Sequence, residues 1–179
     1  MFMRKNHTLR IVMCALFAAM ICVFTMLVQI PVPATGGYVN LGDGVILIGA
    51  FLLQPFYAAA AAGVGSMLAD VLAGYVSYAP GTLVIKTCVA LAASFIFRLM
   101  CRKKNGKVSL PGMIAAGVCA EIVMVLGYFV YEAVVLGIGA GASAGIPGNL
   151  GQGAVGILVA CITAPLLLKN EELKNIMKK

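Results

Sequence analysis

The chain has 179 residues, 62% of them hydrophobic and 11% charged, with a mean hydropathy of +1.04 and a net charge of +7. Soluble domains carry about 25% charged residues, so these charges are too few to coat a water-soluble globule; an ordinary soluble enzyme, a disordered chain and a nucleic-acid-binding domain are excluded. An integral membrane protein remains, and at about 20 apolar residues per spanning helix the length allows roughly six spans.

The first apolar segment, 9–30, follows Arg4, Lys5 and Arg10. It is about twice as long as the 7–15-residue apolar region of a signal peptide, so it reads as a retained helix. Pro31 and Pro33 end it, and the Pro-, Gly- and Thr-containing stretch 31–41 reads as a loop. The second segment, 43–54, is short for a span, and Gln54-Pro55 breaks it from the third, 56–74; proline suits the first turn of the helix that follows. The third segment is nearly all Ala and Gly between Ala58 and Ser66, which marks a helix whose neighbours approach closely. The fourth segment spans 79–101 and the fifth, opened by Pro111, spans 112–136. A Gly/Ala-rich connection leads to the sixth, 147–168, and a polar tail.

Charge sets the orientation. Three basic residues lie at the N-terminus, five around the connection between segments 4 and 5 (Arg98, Arg102, Lys103, Lys104, Lys107), and four in the tail (Lys169, Lys174, Lys178, Lys179). Six spans put all three clusters on one side, which the positive-inside rule makes cytoplasmic, with both termini. The connections 31–42, 75–78 and 137–146 carry no Lys or Arg and fall outside. The expected fold is an all-α integral membrane protein, one six-helix domain over 1–179 in a prokaryotic plasma membrane.

Catalytic signatures are missing. The single histidine, His7, leaves no partner for a Ser-His-Asp triad or an HExxH zinc site. The six cysteines form no CxxC pair and read as small buried or lipid-facing thiols. No GxxxxGK[ST] loop is present, so the chain is not expected to hydrolyse ATP by itself. No cofactor and no metal are expected.

Charged residues inside a span are functional candidates by default. By the helical rise, Asp70 lies about 6 Å below the outer end of its segment, Lys86 about 10 Å and Glu132 about 6 Å. Asn149 and Gln152 open the sixth segment on the same side. Glu121, Val125, Tyr128 and Glu132 share one helix face, as do Asn149, Gln152 and Gly156, and Thr82 and Lys86. The polar groups therefore gather in the outer half of the membrane, as a cavity open to the outside. Other readings stand beside this one. Asp43 either caps its helix or meets a ligand. Asp70 and Lys86 form an ion pair, line a site, or do both. Glu121, nearer the middle, is a site residue or a packing residue. Tyr75 and Tyr78 form an interfacial belt or stack on a flat ligand. Ala15 and Ala19, four apart on the first segment, suit close helix contact, within the chain or with a partner.

Five stretches together resemble a known family. They are Tyr38-Val39-Asn40-Leu41-Gly42-Asp43, residues 65–75 (GSMLADVLAGY), residues 78–86 (YAPGTLVIK), residues 127–132 (GYFVYE) and residues 146–152 (IPGNLGQ). The chain resembles the substrate-binding S component of an energy-coupling-factor (ECF) vitamin transporter. Within the riboflavin-type family it is most similar to the hydroxymethylpyrimidine and pyridoxine carriers. The resemblance implies six helices and a vitamin site near the outer face. The site residues expected from it and from the reading above are Asn40, Asp43, Asp70, Tyr75, Tyr78, Lys86, Glu121, Tyr128, Glu132, Asn149 and Gln152. It also implies that Ala15 and Ala19 contact a transmembrane coupling subunit, with two cytoplasmic ATPases supplying energy. Riboflavin and pantothenate remain alternative substrates. A scaffold protein of an envelope-assembly complex and an intramembrane enzyme built on Glu121 and Glu132 are the readings from other classes.

Overall fold

The structure, a computed structural model, describes residues 2–103 and 109–169. The basic residues Lys104, Lys107, Lys174, Lys178 and Lys179, used above to orient the chain, lie outside the described residues. Within them the helices are α1 (Phe2–Leu27), α2 (Gly42–Leu52), α3 (Pro55–Leu72), α4 (Ala79–Lys103), α5 (Leu110–Val130) and α6 (Ile146–Leu167). Five helical stretches are long and apolar enough to cross a membrane, with α2 as a shorter sixth apolar helix.

Two connections are more ordered than their composition predicts. Where Pro31 and Pro33 predict a loop, the chain forms an antiparallel hairpin of β1 (Gln29–Val32) and β2 (Gly37–Asn40), with Gln29 opposite Asn40. Accordingly α1 ends at Leu27, short of Ile30. The two prolines are tolerated because a lone hairpin consists of edge strands, and Gly36 turns it with φ of 71°. The Gly/Ala-rich connection forms a 3-10 helix, Gly139–Gly145, and α5 closes with a π turn, Tyr131–Val135.

Helix α2 is the centre of the molecule. All eleven of its residues are buried, as expected for a helix that is apolar all round. Eleven residues rise only about 16 Å, roughly half the hydrocarbon thickness. Its first turn therefore begins deep inside the bundle, beneath the hairpin. Phe17 and Ile21 of α1 and Phe97 of α4 pack with it, the rings of Phe51 and Phe97 lying 4.6 Å apart. Helix α3 closes on α1 through small residues, and a Cβ on Gly65 would lie 2.5 Å from the Ala18 carbonyl oxygen.

At the end opposite the hairpin, two arginines converge on the α2–α3 break. Arg10 donates to Gln54 Oε1 (3.2 Å) and Arg98 to the Leu53 carbonyl (2.7 Å). That short connection has no charge of its own, so neighbouring helices bring positive charge to it. His7 lies beside Tyr57, its Nδ1 3.0 Å from the hydroxyl.

The α1–α3 contact yields a test. Gly65→Leu overpacks it and should destabilise the chain by about 1–3 kcal/mol, lowering the thermal midpoint in detergent. Gly151→Ala, where a Cβ meets nothing within 4 Å, should leave the midpoint unchanged.

Candidate functional site

The floor of the site is a buried ion pair. Lys86 of α4 donates to Asp43 Oδ1 of α2 at 2.5 Å, with 2% and 1% of the two side chains exposed. Gln152 of α6 donates from Nε2 to Asp43 Oδ2, and its Oε1 accepts from the Asn40 backbone N–H at 2.5 Å. Lys86 Nζ also lies 3.2 Å from Met124 Sδ and 5.4 Å from the centre of the Tyr128 ring. A buried charge pair is tolerable when its remaining hydrogen-bonding capacity is met, and here the hairpin, α2, α4, α5 and α6 all contribute. Asp43 does not cap α2: that helix has no side-chain cap, and the Asn40 Oδ1 accepts from the Gly42 N–H at 2.8 Å instead. The direct pairing left open between Asp70 and Lys86 gives way to Lys86 with Asp43, because α2 starts at the depth of Lys86.

Above this floor sits a cavity of about 20 Å³. Two of its acids are held alike. Tyr38 of β2 donates to Asp70 Oδ1 of α3 at 2.6 Å. Tyr78, in the turn before α4, donates to Glu132 Oε1 at 3.2 Å and to the Thr35 carbonyl at 2.8 Å. Tyr78 is buried and so does not belong to an exposed interfacial belt. Burial and the adjoining carboxylates raise both phenols, Tyr78 up to about 12 and Tyr38 further, so both remain protonated donors at neutral pH. Thr82 Oγ1 and the Tyr128 hydroxyl lie 3.0 Å apart across the wall. The π turn at the end of α5 carries Glu132, and π turns of this kind recur at functional sites. Next to it, Tyr131 donates to the Ser77 carbonyl at 2.7 Å, tying that turn to the α3–α4 connection.

Eight of the eleven residues named from the sequence line this cavity: Asn40, Asp70, Tyr78, Lys86, Tyr128, Glu132, Asn149 and Gln152. Three do not. Asp43 lies beneath, engaged by Lys86 and Gln152. Tyr75 packs on the outer side against Tyr38, their ring centres 4.4 Å apart. Glu121 lies behind the wall against Gly153, buried, with both carboxylate oxygens unpartnered. Four lining residues are absent from the site residues expected from the sequence, namely Thr25, Tyr38, Ser66 and Thr82. Thr82 already stood out on the helix face it shares with Lys86; Thr25 and Ser66 look like ordinary small residues of an apolar run. Gly156, on the face with Asn149 and Gln152, packs against Asp43, and a Cβ there would lie 3.1 Å from the Asp43 Cβ. Ala15 and Ala19 are exposed on α1, away from the core. Among the described residues no group of three or more His, Cys, Asp or Glu is placed to hold a metal ion.

Removing one member of the floor pair strands the other. Lys86→Met should cost about 3–5 kcal/mol and lower the thermal midpoint of the purified protein, while adding Asp43→Asn to it should recover part of that loss.

Comparison with known proteins meets this geometry. The family model described as "ECF-type riboflavin transporter, S component" matches residues 5–169. A protein of Pyrococcus woesei described as an uncharacterized protein in the gap 3'region is 39% identical over 139 residues, covering 78% of this chain and 88% of that protein. A solved structure reported under "Structure and mechanism of the S component of a bacterial ECF transporter" superposes with a TM-score of 0.64 at 20% identity, over 97% of this chain and 99% of that one. At that identity the likeness speaks for the fold. The chain belongs to the ECF-type riboflavin transporter S component family and is a non-enzymatic, multi-pass subunit of the prokaryotic plasma membrane that binds a vitamin for uptake by an ECF transporter.

Proposed function

We propose that this chain captures a small vitamin or vitamin precursor of the hydroxymethylpyrimidine or pyridoxine type at the outer cavity. The observation that carries the reading is the composition of that cavity: tyrosine rings, two acids, and the amides of Asn149 and Gln152, closed over by the hairpin. Aromatic faces suit a flat heterocycle, and the acids and amides suit its ring nitrogens and hydroxyls. The cavity measures about 20 Å³, so a ligand enters only as hairpin or side chains move aside. A single ring requires much less displacement than a three-ring flavin. Riboflavin is the second reading, favoured by the description of the matching family.

The partners follow from family membership and the exposed surface. Ala15 and Ala19 present small side chains on a face of α1 that also exposes Val12, Leu16 and Val23. Small residues let a partner helix come close in lipid, which supports this face as the contact with the transmembrane coupling subunit. Two cytoplasmic ATPases would drive release of the ligand inside.

Native mass spectrometry of the purified chain against a vitamin panel tests the function. A one-ring ligand should be retained; a chain that retains no vitamin would favour a scaffold. Glu132→Ala and Asn149→Ala should each abolish binding of the retained ligand by titration calorimetry, and unchanged affinity in both would remove the cavity from consideration.

A further inference from the structure

A second hollow, of about 270 Å³, lies between the hairpin and α6. Val28, Ile30 and Val39 form one wall, and Gly148, Gly151 and Val155 of α6 form the other. It shares Asn40 and Gln152 with the outer cavity and is otherwise distinct from it. The short α2 accounts for it. Helix α2 packs against both α1 and α6, and because it begins deep, the hairpin takes its place beside the outer end of α6. Glycine keeps the resulting groove open. A Cβ on Gly151 would meet nothing within 4 Å, whereas one on Gly148 would lie 2.9 Å from Val39 Cγ1.

The groove has little to offer a polar ligand. Asn40 and Gln152 are its polar lining residues, and the rest are apolar or glycine. Gln152 is already engaged by the Asn40 N–H and by Asp43, and Asn40 Oδ1 by the Gly42 N–H. A buried water needs about two to four polar partners, so an apolar hollow of this kind stays dry. Depth identifies what can fill it. Val155 stands about 12 Å along α6 from Pro147, in a hydrocarbon layer about 30 Å thick. The groove thus runs through the depth of the outer leaflet. Exposed Ile30, Leu150 and Leu158 continue its apolar surface into the lipid-facing belt of a multi-pass protein. Lipid tails are the medium at that depth, and an empty groove would forfeit dispersion contacts along both walls.

We infer that this groove is a lipid site, in which one hydrocarbon tail of an outer-leaflet phospholipid lies between the hairpin and α6. The tail packs on Ile30 and Val39 on one side and on the bare backbone at Gly151 on the other. It braces the hairpin against α6 from outside the Asn40–Gln152 contact. The site is separate from the vitamin cavity and does not depend on which vitamin that cavity takes.

The test is native mass spectrometry of the whole chain, delipidated in detergent and titrated with dioleoylphosphatidylglycerol, with the thermal midpoint followed in parallel. One phospholipid per chain should be retained at low molar ratio, and it should raise the midpoint, since a ligand of the folded state stabilises that state. Gly151→Phe and Val155→Phe each put a ring into the groove. Both should keep a lipid-free midpoint near that of the wild type, lower the lipid-bound fraction by about tenfold or more, and lose the lipid-dependent rise. Leu158→Phe, on the exposed surface of α6 outside the groove, should behave as the wild type does. No lipid retained by the wild type, or equal retention by the wild type and both groove variants, overturns the site. A dimer mass that both groove variants abolish also overturns it, in favour of a second copy of the chain on this face.

Discussion

The Lys86–Asp43 pair joins parts of the chain far apart in sequence. It is the contact of α4 with the first turn of α2, and through Gln152 it reaches α6 and the backbone of the hairpin. Two charges removed from water are stable only where every remaining polar valence is met. This requirement restricts how α2, α4 and α6 can slide or rotate relative to one another. The Lys86 ammonium in turn supports the Tyr128 ring at 5.4 Å. The floor is thus a register device as well as a wall, and the cavity above inherits its shape from it.

The pair can form only because α2 is short. A full-length span would carry Asp43 to the membrane surface, where water would compete for it. An eleven-residue helix begins deep, and the hairpin fills the depth it leaves, extending the chain from the end of α1 down to Gly42. The tyrosines act from connections, Tyr38 from the hairpin and Tyr78 from the turn before α4, whereas the acids they hold stand on α3 and the π turn.

Much of this was legible in the residues. Asp70, Lys86 and Glu132 stand out because ionisable side chains are rare in apolar spans and costly there, and helical spacing joins Tyr128 to Glu132 and Asn149 to Gln152. Other parts were not. Tyr38 lies in a stretch rich in proline and glycine, whose pairing into a hairpin depends on closing two strands with each other and onto the bundle. Thr25 and Ser66 carry no signal of their own, since hydroxyls are common in apolar helices. Glu121 shares the face of Tyr128 and Glu132 but lies deeper on it, where Gly153 of α6 packs against it and the cavity does not reach.

By itself the sequence determined the solvent of this protein, its succession of apolar segments and the side of the membrane on which its polar groups collect. Those properties are sums over local composition: hydrophobic length, basic clusters and helical periodicity. Tertiary structure alone decided which acid Lys86 takes as partner and which are held by tyrosine hydroxyls. Asp70 and Asp43 are both within reach of a lysine by depth, and only the packing of the short α2 against α4 and α6 selects Asp43. That selection leaves Asp70 to the Tyr38 hydroxyl, because a charge pair depends on distance in space and no local pattern encodes it.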